Sequence, residues 1–178
     1  MDVNPANATI PPELNNPLWQ YALTLWSDPA IEQVCLALQE RGWSVTRILC
    51  ACWLSSLGRR YEREPELVSR WRQQVTQPLR SLRQSLCKDD TTVANLRNRV
   101  ASAELEAERI ELAVAYSELQ ADSEATDTVP DAVIWSNLHT AAPNHDIDAD
   151  ARELMTVLIQ HLPPQAADNA EGTAPCAG

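Results

Sequence analysis

The chain has 178 residues, a net charge of −11, 44% apolar and 22% charged residues, and only 4 Gly against 12 Pro. That apolar content supports one hydrophobic core and excludes disorder over the whole length. So few glycines argue against a turn-rich all-β fold and against a Gly-rich phosphate loop.

Residues 1–12 are polar and Pro-containing and read as a flexible N-terminal arm. Asn16-Pro17 is an N-cap followed by Pro at the first helical position, and Leu18, Trp19, Ala22, Leu25 and Trp26 continue at helical spacing. Asp28-Pro29 repeats that start, with Ile31, Val34, Cys35 and Leu38 on one face and Gly42 as the stop. Ser44 caps a third segment, Val45 to Leu57, that is apolar almost all round and belongs at the centre of a bundle. Gly58 closes it, and Pro65 opens a fourth helix carrying Leu67, Val68, Trp71 and Val75. Pro78 predicts a kink or break near Gln77.

Asp90 or Thr91 starts a long fifth helix, roughly residues 92–121. Val93, Leu96, Val100, Ala103, Ala107, Ile110 and Val114 form a heptad-like seam there, through which a weak homodimer (residues 93–114) is an expectation. Glu104, Glu106, Glu108 and Glu111 are expected to cover the outside of this helix. Pro130-Asp131 opens a short apolar segment through Leu138. Acids at 146, 148 and 150 lead into an amphipathic helix, Ala151–Leu162, which Pro163-Pro164 stops. Residues 163–178 read as a disordered tail, leaving a helical domain over 13–162. The expected fold is all-α: a single compact bundle of about six helices, with a central apolar helix and one long helix.

Charge is unevenly distributed. Residues 1–40 have no base, residues 41–100 carry 12 bases against 5 acids, and residues 101–178 carry 2 bases against 15 acids. The acidic half weighs against nucleic-acid binding. No apolar run approaches the roughly 20 residues of a bilayer span, and the first 30 residues lack Lys and Arg, so neither a membrane anchor nor a secretory signal is expected. Five cysteines without regular spacing fit free thiols and a cytoplasmic setting.

Constellations with chemical meaning are weak. Asp146, Asp148 and Asp150 begin like a calcium loop, but Ala151 and Val157 stand where Gly and a bidentate Glu are required. Asp89-Asp90 lacks the third acid of an isoprenoid-synthase motif, because position 93 is Val93. Cys50 and Cys52, two apart on a helix, point to opposite sides, and His139, His145 and His161 match no zinc spacing. No catalytic residue, metal or cofactor is expected.

The remaining signal is the arginine series. One reading pairs it with Glu104, Glu106, Glu108 and Glu111 across an antiparallel hairpin, which would fix register. The other leaves it free as a face for an anion or an acidic partner. Trp43, after Gly42, is expected to be partly exposed and is the candidate aromatic contact.

Three blocks carry a family resemblance: Leu18 to Trp26 with Pro29 and Val34 to Gln39; Gly42 and the apolar helix ending Trp53-Leu54 with Gly58-Arg59; and Trp71-Arg72, Val75, Pro78-Leu79-Arg80 and Arg83 with Ala103 to Arg109. Over about residues 18–115 the chain resembles an uncharacterised proteobacterial family of small all-helical proteins, a domain of unknown function. Ser44 stands where that family's pattern has Asp; both cap helices. The resemblance implies a fold and no chemistry. The favoured reading is a non-enzymatic binding or adaptor module that meets another protein through Arg59, Arg60, Arg63, Arg72, Arg80 and Arg83, with Trp43 beside them. The alternative is an enzyme or small-ligand-binding protein with a pocket between the second, third and fourth helices, lined by Trp53, Trp71 and nearby arginines.

Overall fold

The computed structural model describes residues 13–122, 130–144 and 146–163, and among these there are helices and no strand. In order they are α1 (Pro17–Trp26), α2 (Pro29–Glu40), α3 (Val45–Ser56), α4 (Glu66–Trp71), α5 (Gln77–Ser85), α6 (Ala94–Asp122), α7 (Pro130–Ala141) and α8 (Ala149–His161). A π-helical turn, Arg72–Thr76, joins α4 to α5, so the described residues make seven rods, close to the expected six. The added rod is α7, a 12-residue helix where the sequence indicated only a short segment. The expected arm, residues 1–12, and residues 164–178 of the expected tail lie outside the described residues.

Local chemistry sets the starts. Asn16 accepts the Trp19 N–H (2.9 Å), Asp28 the Ala30 N–H (2.8 Å) and Asp148 the Ala151 N–H (2.7 Å), each satisfying an orphan donor of a first helical turn. Asp148 and Asp150 also take Arg41 at 2.9 and 2.8 Å, so two of the three aspartates act as cap and ion-pair partners. Stops are equally local. Gly42 (φ 87°) and Gly58 (φ 65°) are left-handed, and the N–H groups of Trp43 and Arg59 reach back to the carbonyls of Leu38 (3.1 Å) and Leu54 (2.8 Å). These are Schellman stops.

The first of them corrects the expectation for Trp43. A residue in that position packs back onto the last turn of its helix. Trp43 does so, joining the same core cluster as Leu38, and is 5% exposed.

Pro78 does not break its helix. The Gln77 N–H bonds to the Arg72 carbonyl, five residues back, so the turn before Pro78 is widened. A proline ring clashes with the carbonyl four residues earlier in a regular helix. The π turn relieves that clash and keeps α4 and α5 continuous.

α3 is the central rod, buried from Thr46 through Ser55 with the exception of Arg47, and packed against α1, α2, α6 and α7. Trp53 meets Tyr116 of α6 with ring centroids 5.5 Å apart. Asn137 of α7 is buried against it. Its amide donates to Ser55 Oγ (2.8 Å) and the Arg59 carbonyl (2.9 Å), and its oxygen accepts the Tyr61 N–H (2.7 Å).

Burial raises the thiol of Cys35 to about 12 and those of Cys50 and Cys52 well above their ordinary value; Cys87, in the α5–α6 turn, is exposed. Thiolate is the reactive form, so buried thiols with raised pKa are inert. Iodoacetamide on the native protein should therefore label Cys87 quickly and reach Cys35, Cys50 and Cys52 only in denaturant, as read by peptide mapping. Labelling of Cys50 or Cys52 at the Cys87 rate would contradict the packed centre.

The buried line of α6 is not the predicted seam. Val100 and Ala107 do face inward, but Leu96 is 51% exposed and Ala103 is exposed. Glu104 and Glu111, expected outside, are 5% and 1% exposed. The helix turns its charged line toward α5 because the arginines lie there.

Candidate functional site

The antiparallel α5–α6 pair places four residues of one rod, Arg72, Thr76, Arg80 and Arg83, opposite Glu104, Glu108 and Glu111 of the other. Spacings of three and four put each set on one helix face. Arg72 donates through Nε to Glu111 (2.8 Å) and through its two terminal nitrogens to Glu64, one of them at 3.1 Å. Thr76 Oγ1 donates to the other Glu111 oxygen at 2.8 Å. Arg80 binds Glu104 (3.0 Å) and Glu108, and Arg83 binds Glu104 through two nitrogens, one at 3.1 Å. Trp71 Nε1 donates to the Ala107 carbonyl (3.0 Å) and holds the two rods in register.

The three carboxylates are not equally compensated. Burial pushes Glu104 up, but the hydrogen bonds and charges of Arg83 and Arg80 outweigh it and hold the carboxyl below its ordinary value. Burial also pushes Glu108 up, and there it wins, because Arg80 alone opposes it while Glu104 and Glu111 add repulsion. Glu64 and Glu111 hold the Arg72 guanidinium above its ordinary value against the burial that lowers it.

This network floors a cleft of about 520 Å³. α1 contributes Trp19, Leu23 and Trp26 to the wall. The α2–α3 corner contributes Leu36, Gly42 and Trp43, and α6 contributes Leu105 and Leu112. The Arg109 guanidinium sits over the Trp19 ring, 5.2 Å from its centroid.

Of the arginine series, Arg72, Arg80 and Arg83 follow the pairing reading and are committed to glutamates rather than free, whereas Arg59, Arg60 and Arg63 lie on the connection between α3 and α4. Arg59 donates to the Leu119 carbonyl (3.1 Å). Arg60 and Arg63 are exposed, and Arg63 borders a second, more open hollow with Arg47, Glu62 and His139. Trp43 lines the main cleft despite its burial. Trp53 and Trp71, expected to line a pocket between the second, third and fourth helices, do not line the cleft observed. Its position was missed because its walls come from α1, the α2–α3 corner, α5 and α6.

No helix among the described residues is long and apolar enough to cross a membrane. No curated protein and no solved structure matches the chain significantly. A family model described as a protein of unknown function (DUF2390) matches residues 17–114, a span that contains the whole lining of the cleft and all of its floor, and the chain belongs to that family.

Proposed function

We propose that this chain is a non-enzymatic binding module whose site is the cleft between α1, the α2–α3 corner and the α5–α6 hairpin. One observation carries the reading. Leu23, Leu36 and Leu105 remain 46%, 45% and 58% exposed, although they sit on three different helices, and all three border the same hollow. Scattered apolar side chains on a surface need no explanation, whereas a group gathered around a concavity with polar groups at its base is how binding sites are built. The arginines serve this site as its floor. They hold the two rods together and fix where the polar groups stand, which a free docking ridge could not do. An open trough with an apolar rim suits a segment of another protein.

The rim is the place to test it. Charge reversal at Arg80 or Arg83 would expel Glu104 and disturb the hairpin, so those variants do not separate folding from binding. Leu36→Gln with Leu105→Gln changes only exposed positions and should leave the thermal midpoint nearly unchanged. Affinity purification from the native cell, comparing this double variant with the intact protein, should then lose the specific co-purifying species. If every species persisted with the variant, the cleft would not be the site.

A further inference from the structure

We infer that the side of the α5–α6 hairpin turned away from the cleft docks on a second copy of this chain, with the two α6 rods antiparallel and crossing near Ala103. The inference concerns a different surface from the proposed binding site and does not depend on it.

The hairpin has two outer sides, because its inner faces are taken up by the arginine–glutamate pairs. The cleft uses one of them, bordered by Gln77 of α5 and by Ala101 and Leu105 of α6. Successive residues of a helix turn by about 100°, so Leu79, Leu82 and Leu86 of one rod and Leu96 and Ala103 of the other fall on the opposite side. None of these borders the cleft. Leu82 and Leu96 are 48% and 51% exposed. No residue of α5 is buried, because that rod packs on α6 and on the π turn before it. An apolar side shared by two adjacent rods is half of a four-helix bundle. Of the seam expected along α6, Leu96 and Ala103 are the part left outside.

Charge decides what covers it. Arg99 and Glu106 flank this apolar line, both are exposed, and neither has a side-chain partner among the described residues. They stand two helical turns apart, so they lie along one line of α6 with Ala103 between them. Laid antiparallel on itself about Ala103, α6 sets Arg99 of one copy opposite Glu106 of the other, and the two-fold axis makes the same pair twice. It also brings Leu96 against Ile110, which is half-buried on the same side of the rod. A parallel arrangement would oppose Arg99 to Arg99 and Glu106 to Glu106. A partner of uniform charge would satisfy one member of the pair and repel the other, whereas a second copy satisfies both. The small side chain of Ala103 lets the rods approach closely where they cross. The net charge of −11 opposes association at long range, so the dimer forms only at high concentration.

Sedimentation of the full chain from about 10 μM to about 1 mM tests this. The mass should rise from monomer toward dimer with a Kd of about 0.1 mM. Leu82→Gln with Leu96→Gln changes exposed positions, so the thermal midpoint of the dilute protein should hold while the dimer weakens at least about tenfold. Arg99→Glu and Glu106→Arg should each weaken it similarly, since each sets like charges together twice. An equimolar mixture of those two variants should recover association as a mixed dimer. The cleft variant Leu36→Gln, Leu105→Gln should associate as the wild type does, which tells the two surfaces apart. A chain that stays monomeric over the whole range would overturn the inference. So would a mixture that associates no better than either charge variant alone, a leucine variant of undiminished affinity, or loss of the dimer in the cleft variant.

Discussion

Arg72→Met should lower the unfolding free energy by about 3–5 kcal/mol, the cost of leaving one member of a buried ion pair without its partner. Arg72 Nε reaches Glu111, which is 1% exposed, and the other end of the guanidinium holds Glu64. With Arg72 gone, Glu111 keeps only the Thr76 hydroxyl as a side-chain donor. A carboxylate cannot stay charged there without cost, and a domain of this size has only about 5–15 kcal/mol to lose. The double variant Arg72→Met, Glu111→Leu removes both charges and fills the space with apolar atoms. It should recover much of the loss, because buried ion pairs replaced as a unit are often close to neutral. Urea unfolding followed by circular dichroism gives all the corners of the cycle. A loss below about 1 kcal/mol for the single variant, or a double variant no better than the sum, would show that the pair does not hold the hairpin.

That network marks the boundary between what the chain's sequence discloses and what it conceals. Helix starts and stops were legible because they are settled within a few residues. Asn16-Pro17, Asp28-Pro29, Ser44, Gly42 and Gly58 each act on a backbone group two to five positions away. The central place of α3 was legible too, since a run apolar on all sides has only one stable location. Pro78 was recognised as an irregularity, but its outcome depends on whether the preceding turn can widen, and the widened turn sets Arg72 and Thr76 together against Glu111 of α6.

Charge misleads where it is buried in pairs. Reading α6 by hydropathy puts Glu104 and Glu111 outside and Ala103 on the seam, one residue out of step with the burial seen. The signal that could have corrected it is the match of spacings: 104, 108 and 111 on one rod against 76, 80 and 83 on the other, both on single helix faces. The cleft had no comparable signal. Its three exposed leucines lie in separate helices, and each alone looks like an ordinary surface residue. Only the fold brings Leu23, Leu36 and Leu105 to one rim, and Trp53 and Trp71, expected to line a pocket, are not among the residues that border this cleft.

Asn137→Leu should cost about 2–4 kcal/mol, although it replaces a polar side chain in an apolar setting by an apolar one of similar size. The buried Tyr61 N–H would lose the oxygen it donates to, and Ser55 would lose the amide that now meets its hydroxyl. Orphaned buried groups of this kind cost about 1–3 kcal/mol each. Asn137→Asp makes a sharper companion, because it keeps the acceptor for Tyr61 but puts a charge in the interior. Burial raises such a carboxyl's folded pKa above its unfolded value. Its stability is therefore greatest below the unfolded pKa and falls as pH rises through the folded one. The aspartate variant should thus approach the wild type in acid and fall behind it at neutral pH, while the leucine variant stays behind at both. Hydrogen exchange should show the Tyr61 amide opening faster in the leucine variant than in the wild type. The consequence reaches the site: Tyr61 and Glu64 lie on the same short connection into α4, and Glu64 is the second anchor of Arg72. Freeing that connection should weaken the Arg72 network from outside, so the losses from Asn137→Leu and Arg72→Met should combine to less than their sum. Strict additivity, together with an unchanged Tyr61 exchange rate, would mean that α7 holds α3 alone and that the cleft floor stands independently of it.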